Sequence, residues 1–263
     1  FYRIEDTGTG NTALGFVAGF TGDEIQRQVE EIGVNARFIP VDEGISRINL
    51  KLQNIEGTEI NGQGPAISRE KTQQLFEMLD QLQEGDVLVL AGSIPASMPD
   101  DIYRNILKQL DGRGILIAVD ATKDLLVNVL EYHPFLVKPN NHELGEIFGV
   151  ELKDRESVIP YAKKMQEMGA ANVLVSMAGE GAVLAAANGK VYLAPAPKGT
   201  LVNGVGAGDS MVAGFLAGWL KEKDYCHAFH MGIATGSASA FSEYLATREQ
   251  IEEVYRQVTS EER

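Results

Sequence analysis

The chain of 263 residues is 44% hydrophobic and 23% charged, a globular composition, and its length allows one large domain or two small ones. Against 23 basic side chains stand 37 acidic ones, and the formal net charge of −14 disfavours nucleic acid and anionic membrane surfaces as partners. The single cysteine, Cys226, excludes an intramolecular disulfide; no apolar run approaches the ~18 residues of a membrane span and no signal peptide opens the chain, so a soluble cytoplasmic protein is expected.

In chain order, the first clear pattern is Ile45–Leu52 (I-S-R-I-N-L-K-L), a strict period of two. It predicts a strand with Ile48, Leu50 and Leu52 on one face and Arg47, Asn49 and Lys51 on the other. Gly57–Gly62 follows as a second short strand between glycines, so the pair reads as a small antiparallel flap. The polar face is an ordinary solvated surface or a phosphate-binding stripe; two cations and an amide in so acidic a chain make the second reading worth carrying. Further on, Thr72, Leu75, Phe76, Leu79 and Leu82 have helical spacing, as do Ile102, Ile106, Leu107 and Leu110 behind a Pro99-Asp100-Asp101 start. Between the helices stand short apolar runs without alternation, Asp86–Gly92, Gly114–Asp120, Phe135–Pro139 and Asn172–Ser176, the pattern of parallel strands covered on both faces. Strand–helix alternation of this length predicts a doubly wound α/β domain.

Three turns follow apolar strands. Lys138-Pro139-Asn140-Asn141-His142-Glu143 opens a helix, and Asn140 with Glu143 either caps that helix, the more common meaning, or offers hard oxygen ligands to Mg²⁺ at a strand's carboxyl end. Ser176–Gly181 (S-M-A-G-E-G) is a plain turn or a nucleotide border, while Asn188-Gly189 reads as a hairpin. Asn203–Ser210 (N-G-V-G-A-G-D-S) is the strongest signal. Glycines opening a helix expose backbone N–H groups to an anion, and Asp209 in the same turn can take a proton from an attacking hydroxyl. The bland reading is a packing turn with Asp209 as dipole partner. The chain has no Walker-type G-x-x-x-x-G-K-[ST] loop, no dinucleotide fingerprint and no G-x-S-x-G elbow, and His227, His230 and Cys226 complete no zinc ligand spacing.

Taken together, these elements resemble the PfkB (ribokinase-like) carbohydrate kinases. Asn203–Phe215 is similar to that family's C-terminal signature with its G-A-G-D core, and Asn140-x-x-Glu143 to its N-x-x-E element. Gly92-Ser93-Ile94-Pro95, Ser176–Gly181 and the small-residue helix Gly232–Phe241 also fall where the family has strand-end loops and its nucleotide site. The Arg47-x-Asn49-x-Lys51 stripe, Gly57–Pro65 and Gly236–Ala246 are closest to the family's phosphosugar kinases. The resemblance implies a three-layer α/β/α fold with a mostly parallel sheet, a core over residues 1–43 and 65–263, and a β lid over 44–64. It implies ATP-dependent phosphorylation of a ketohexose monophosphate, fructose 1-phosphate to fructose 1,6-bisphosphate first, with tagatose 6-phosphate or another sugar as the alternative. A non-catalytic phosphosugar sensor on the same fold is disfavoured by the retained Asp209, anion turn and Asn140/Glu143.

By the same resemblance, Asp209 is the base, and Gly206, Ala207 and Gly208 give amides to the transferred phosphoryl group. Lys138, Ser176, Gly179, Gly181 and Gly208 border ATP, Asn140 and Glu143 hold Mg²⁺, and Arg47, Asn49 and Lys51 grip the phosphate already on the sugar. The lid's outer apolar face predicts a homodimer through the flap. Two departures stand out. Gly204 occupies a position where the family commonly has Ser or Thr. Phe1–Gly10 is too short for the family's first strand with its sugar-binding Asp and the G-G-x-G-x-N signature, so a segment near Thr7–Asn11 is expected to be omitted.

Overall fold

The computed structural model describes residues 10–51, 59–92 and 94–263, with the side chains of Lys51 and Glu59 excepted. The expectations for residues 1–9, Leu52, Gly57, Thr58 and Ser93 therefore lie outside the described residues. Contacts divide the chain into two compact units, residues 10–82 with 94–102 and residues 83–92 with 103–263.

In the first unit, β1 (Thr12–Ala18), α1 (Gly19–Glu31) and β2 (Asn35–Val41) form a parallel strand–helix–strand pair. Neither strand is signalled by periodicity, because Gly15 interrupts one and Pro40 the other. The flap is present: β3 (Asn49–Lys51) pairs antiparallel with β4 (Glu59–Asn61), and Leu50 stands opposite Ile60. The strand is shorter than the period-two run that predicts it. Ser46 is buried and tied to the end of β1: its Oγ accepts from Ala18 N at 3.0 Å, its N–H donates to Ala18 O at 2.9 Å, and Thr21 Oγ1 donates to its carbonyl at 2.9 Å. These bonds hold the start of the run away from the ladder, which Ile48 joins by accepting from Gly62 N at 3.1 Å. After the flap comes α2 (Arg69–Leu79), capped by Ser68.

The second unit begins with β5 (Val87–Ala91), α3 (Ile102–Leu110), β6 (Leu116–Asp120), α4 (Lys123–Val127), β7 (Leu136–Val137), α5 (Asn141–Phe148), α6 (Arg155–Glu167) and β8 (Asn172–Ser176). It continues through β9 (Ala182–Ala185), β10 (Val191–Ala194), α7 (Ala207–Glu222), α8 (Tyr225–Ala240), α9 (Arg248–Tyr255) and β11 (Glu261–Glu262). Among the described residues these strands form a seven-stranded sheet, ordered β11-β10-β9-β8-β7-β6-β5. It is parallel from β5 to β8, and β9 to β11 extend it antiparallel. The β9–β10 turn is the Asn188-Gly189 hairpin, with Gly189 at φ +84° and Asn188 Oδ1 accepting from Lys190 N at 3.0 Å.

From β6 to β10 both faces of the sheet are covered, giving three layers. Leu136, Leu174, Leu184 and Tyr192 join Phe215, Phe229 and Ile233 of α7 and α8 in one core, while the alternate residues Val137, Val173, Val175 and Val183 are buried on the opposite face. Close approach of α7 and α8 requires Gly214, where a Cβ would stand 2.4 Å from Thr235 Oγ1. β5 departs from the expected pattern. Among the described residues it is the last strand of the sheet, and it buries Leu88 and Leu90 on one face while Val89 on the other is 44% exposed. Cys226 is half-buried, with its Sγ 3.7 Å from His230 Nε2 and from Ser260 Oγ. Among the described residues no helix is long and apolar enough to cross a membrane.

Candidate active site

The parallel strands β5 to β8 end side by side, and in an open α/β sheet such ends are where ligands bind. β6 ends at Asp120. The chain leaving β7 supplies Lys138, whose N–H donates to Val119 O at 3.2 Å, then Asn140, which bridges Ser176 at the end of β8. Lys138 is 6% exposed, and its Nζ lies 3.3 Å from Asp120 Oδ1. A buried ammonium requires such a partner, since the desolvation of an unpaired charge costs several kcal/mol. Burial pushes the Asp120 carboxyl above the usual carboxylate range. The Lys138 charge opposes that shift, and the nearby Asp209 and Glu143 charges add to it. Three carboxylates and one ammonium thus share a single electrostatic neighbourhood.

Over this group stands the amino end of α7. Gly206 is its N-cap at φ +77°, a left-handed backbone that glycine adopts without strain. Asn203 shapes the turn: its Oδ1 accepts from Val205 N at 3.0 Å and its Nδ2 donates to Glu243 O at 3.1 Å. A Cβ at Gly208 would lie 3.2 Å from Lys138 Nζ, so the side chain absent there leaves room for the ammonium beneath the turn. Exposed N–H groups of the first turn, the positive end of the dipole and Lys138 together favour an anion. The Ala207 amide is partly engaged, since its N lies 3.3 Å from Gly204 O. Asp209 is exposed on this first turn.

Asn140 and Glu143 form a reciprocal capping box on α5. Asn140 Oδ1 accepts from Glu143 N and Glu143 Oε2 accepts from Asn140 N, each at 2.8 Å. The structural and ligand readings are compatible: each cap uses one acceptor, and Glu143 keeps Oε1. Among the described residues no three His, Cys, Asp or Glu side chains form a metal-holding group. The Ser176–Gly181 turn is a 3-10 segment closed on itself, with Met177 N donating to Gly181 O at 2.9 Å and Gly181 N to Ala178 O at 3.0 Å. Arg155 also donates to the Glu180 carbonyl. The structure therefore brings Lys138, Asn140, Glu143, Ser176 and Gly206–Asp209 together at the carboxyl ends of the parallel strands. Arg47 and Asn49 are exposed on the flap of the first unit, and of Lys51 only the strand is described.

Sequence reading missed Asp120. Its signal was present, a charged residue closing the apolar run G-I-L-I-A-V-D, but the partner that gives it meaning is eighteen positions away and only the β6–β7 pairing brings the two together.

Backbone amides and a held ammonium at one helix end, with a carboxylate on the same turn, suit the transfer of a phosphoryl group to a hydroxyl. On this fold that defines the class as an α/β phosphotransferase. The family profile described as pfkB family carbohydrate kinase matches residues 4–251, and the chain belongs to that family. It is 48% identical over 246 residues to 1-phosphofructokinase of Bacillus subtilis, covering 94% of this chain and 80% of the relative. To D-tagatose-1-phosphate kinase of Bacillus licheniformis it is 33% identical, covering 98% of this chain and 84% of the relative. Among solved structures, a Staphylococcus aureus protein described as a candidate phosphofructokinase superposes with a TM-score of 0.87 at 37% identity, over 97% of this chain and 82% of that one. Escherichia coli phosphofructokinase-2 in complex with fructose-6-phosphate matches at 24% identity and a TM-score of 0.82, over 95% and 82%, a likeness of fold.

Proposed function

We propose that the protein transfers the terminal phosphoryl group of ATP to the 6-hydroxyl of fructose 1-phosphate, giving fructose 1,6-bisphosphate and ADP. The likeness to the B. subtilis enzyme supports the substrate. The observation that carries the chemistry is Lys138, held by Asp120 at 3.3 Å beneath Gly208. Asp209 takes the proton of the 6-hydroxyl as its oxygen bonds to phosphorus, and the bridging oxygen leaves with ADP. Amides of Gly206, Ala207 and Gly208 receive the phosphoryl oxygens, Ala207 giving up its long bond to Gly204. Lys138, Ser176, Gly179 and Gly181 border the nucleotide. The hard oxygens of Glu143 and Asn140 fit Mg²⁺ held through water, and the ion supplies charge neutralisation on the nucleotide phosphates when bound.

Arg47, Asn49 and Lys51 grip the phosphate on C1, and the flap over residues 44–64 closes on the sugar to keep water from acting as acceptor. Pairing of two flaps across Leu50 and Ile60 makes the homodimer, and the setting is cytoplasmic. A second reading follows from the B. licheniformis relative, whose name places the sugar phosphate on C1. Tagatose 1-phosphate, which shares that phosphate and a free 6-hydroxyl, therefore stands as an alternative beside tagatose 6-phosphate. Turnover of ATP with fructose 1-phosphate, tagatose 1-phosphate, tagatose 6-phosphate and fructose 6-phosphate tests the assignment. Fructose 1-phosphate is expected to give the highest kcat/KM, and its failure to react overturns the reading.

A further inference from the structure

We infer that Tyr103 is a positioning residue of the phosphoryl-transfer site, acting on the acceptor side by fixing the carboxyl end of β5; the inference rests on the kinase reading above. Tyr103 lies in the first turn of α3 and is 9% exposed. A buried tyrosine hydroxyl needs a partner. Here it reaches two acceptors, the carbonyl of Ala91 at 3.0 Å and that of Gly92 at 3.2 Å. Both belong to the point where the chain leaves the sheet, and Gly92 turns it at φ +90°.

Among the described residues β5 is the last strand of its sheet, and β6 is the strand that holds its end laterally. The register sets Ala91 opposite Asp120, the residue that holds Lys138. A shift of the β5 end is therefore a shift of the immediate neighbour of the Asp120–Lys138 pair. The Asp120 charge also reaches the phenol. Burial, with that charge second, pushes the Tyr103 hydroxyl up to about 12, so it remains a donor wherever the enzyme works.

The order of the strand ends gives the direction of the effect. β8 leads into the turn assigned to ATP, β7 supplies Lys138 under the anion turn, β6 supplies Asp120, and β5 ends at the Tyr103 clamp. In-line transfer sets the acceptor across the phosphoryl group from ADP. In this sheet the side away from β8 is the side of β6 and β5. Loss of the clamp should disturb the acceptor and spare the nucleotide.

Tyr103→Phe in the full chain tests this, because the ring and its packing remain. Its kcat/KM for fructose 1-phosphate is expected to fall about five-fold, the equivalent of one net hydrogen bond. The KM for ATP should stay unchanged and the melting temperature should stay within the few degrees that such a bond moves it. Unchanged kinetics, an equal loss toward ATP, or collapse of the fold would each overturn the inference. An inactive wild-type protein with fructose 1-phosphate would instead sink the kinase reading, so the two failures are distinguishable.

Discussion

The strand ends of the larger unit and the flap of the smaller one treat charge in opposite ways. At the strand ends most of the ionic groups are held and only Asp209 is exposed: Lys138 is buried on Asp120, Glu143 is locked in a capping box, and the glycine turn shapes itself around the ammonium. On the flap Arg47 and Asn49 are exposed, and Ile48, Leu50 and Ile60 stand 60%, 52% and 58% exposed. Groups organised before the substrate arrives stabilise a transition state, because no reorganisation is needed at the moment of reaction. Groups that must gather around a ligand contribute binding and closure. The difference predicts that substitutions at the strand ends act on kcat and stability, and substitutions on the flap act on KM and association.

Asp209→Ala is expected to cost the most turnover. General-base contributions run to about 10²–10⁴-fold, and kcat measured at saturating ATP and sugar phosphate should fall by at least the lower figure, with little loss of stability at this exposed position. A variant with full turnover would remove Asp209 from the mechanism. Next is Lys138→Met, which leaves Asp120 buried without its partner; breaking such a pair costs about 3–5 kcal/mol, read as a lowered midpoint in denaturant. Adding Asp120→Asn should recover most of the stability and none of the turnover. Were activity to return with stability, the pair would be a strut and the comparison would lose its meaning.

On the flap, Arg47→Ala is expected to raise the KM for fructose 1-phosphate about ten-fold or more with kcat nearly kept, since a charge-assisted hydrogen bond is worth about 1.5–3 kcal/mol. A fall in kcat without a change in KM would place Arg47 with the preorganised groups.

Legibility in the sequence follows the same division. Turns with special backbone needs were readable: the Asn188-Gly189 hairpin, the Gly206–Gly208 helix start and the Asn140/Glu143 box all announce themselves within a few residues, because the constraint is local. Parallel strands β6 and β8 were readable because burial on both faces leaves unbroken apolar runs. What failed was non-local. The Asp120–Lys138 pair and the Tyr103 bonds depend on strand order, which no window of sequence contains. β1 and β2 were hidden by Gly15 and Pro40, and the flap strand was overestimated because Ser46 is bound to β1, a tertiary contact that overrides the alternation of Ile45–Leu52.

Leu50→Lys is expected to touch the chemistry least and the association of the flap most. Leu50 and Ile60 are direct partners across the two-stranded flap, and Ile48 continues the apolar alternation. A two-stranded hairpin with an apolar face is marginal alone in water, so the face gains most from a cover. A second flap supplies one of identical chemistry and twofold symmetry. Burying one leucine is worth about 1.5–3 kcal/mol, and a lysine in its place also sets like charges together at the symmetric contact. Light scattering should therefore show the variant as a monomer at concentrations where the parent chain is a dimer. Its chemical step, measured at saturating substrates, should change little, while the KM for the sugar phosphate rises because the lid has lost its support. Retention of the dimer by the lysine variant would show that the apolar face serves something other than self-association, and the flap's exposed side chains would then need another partner.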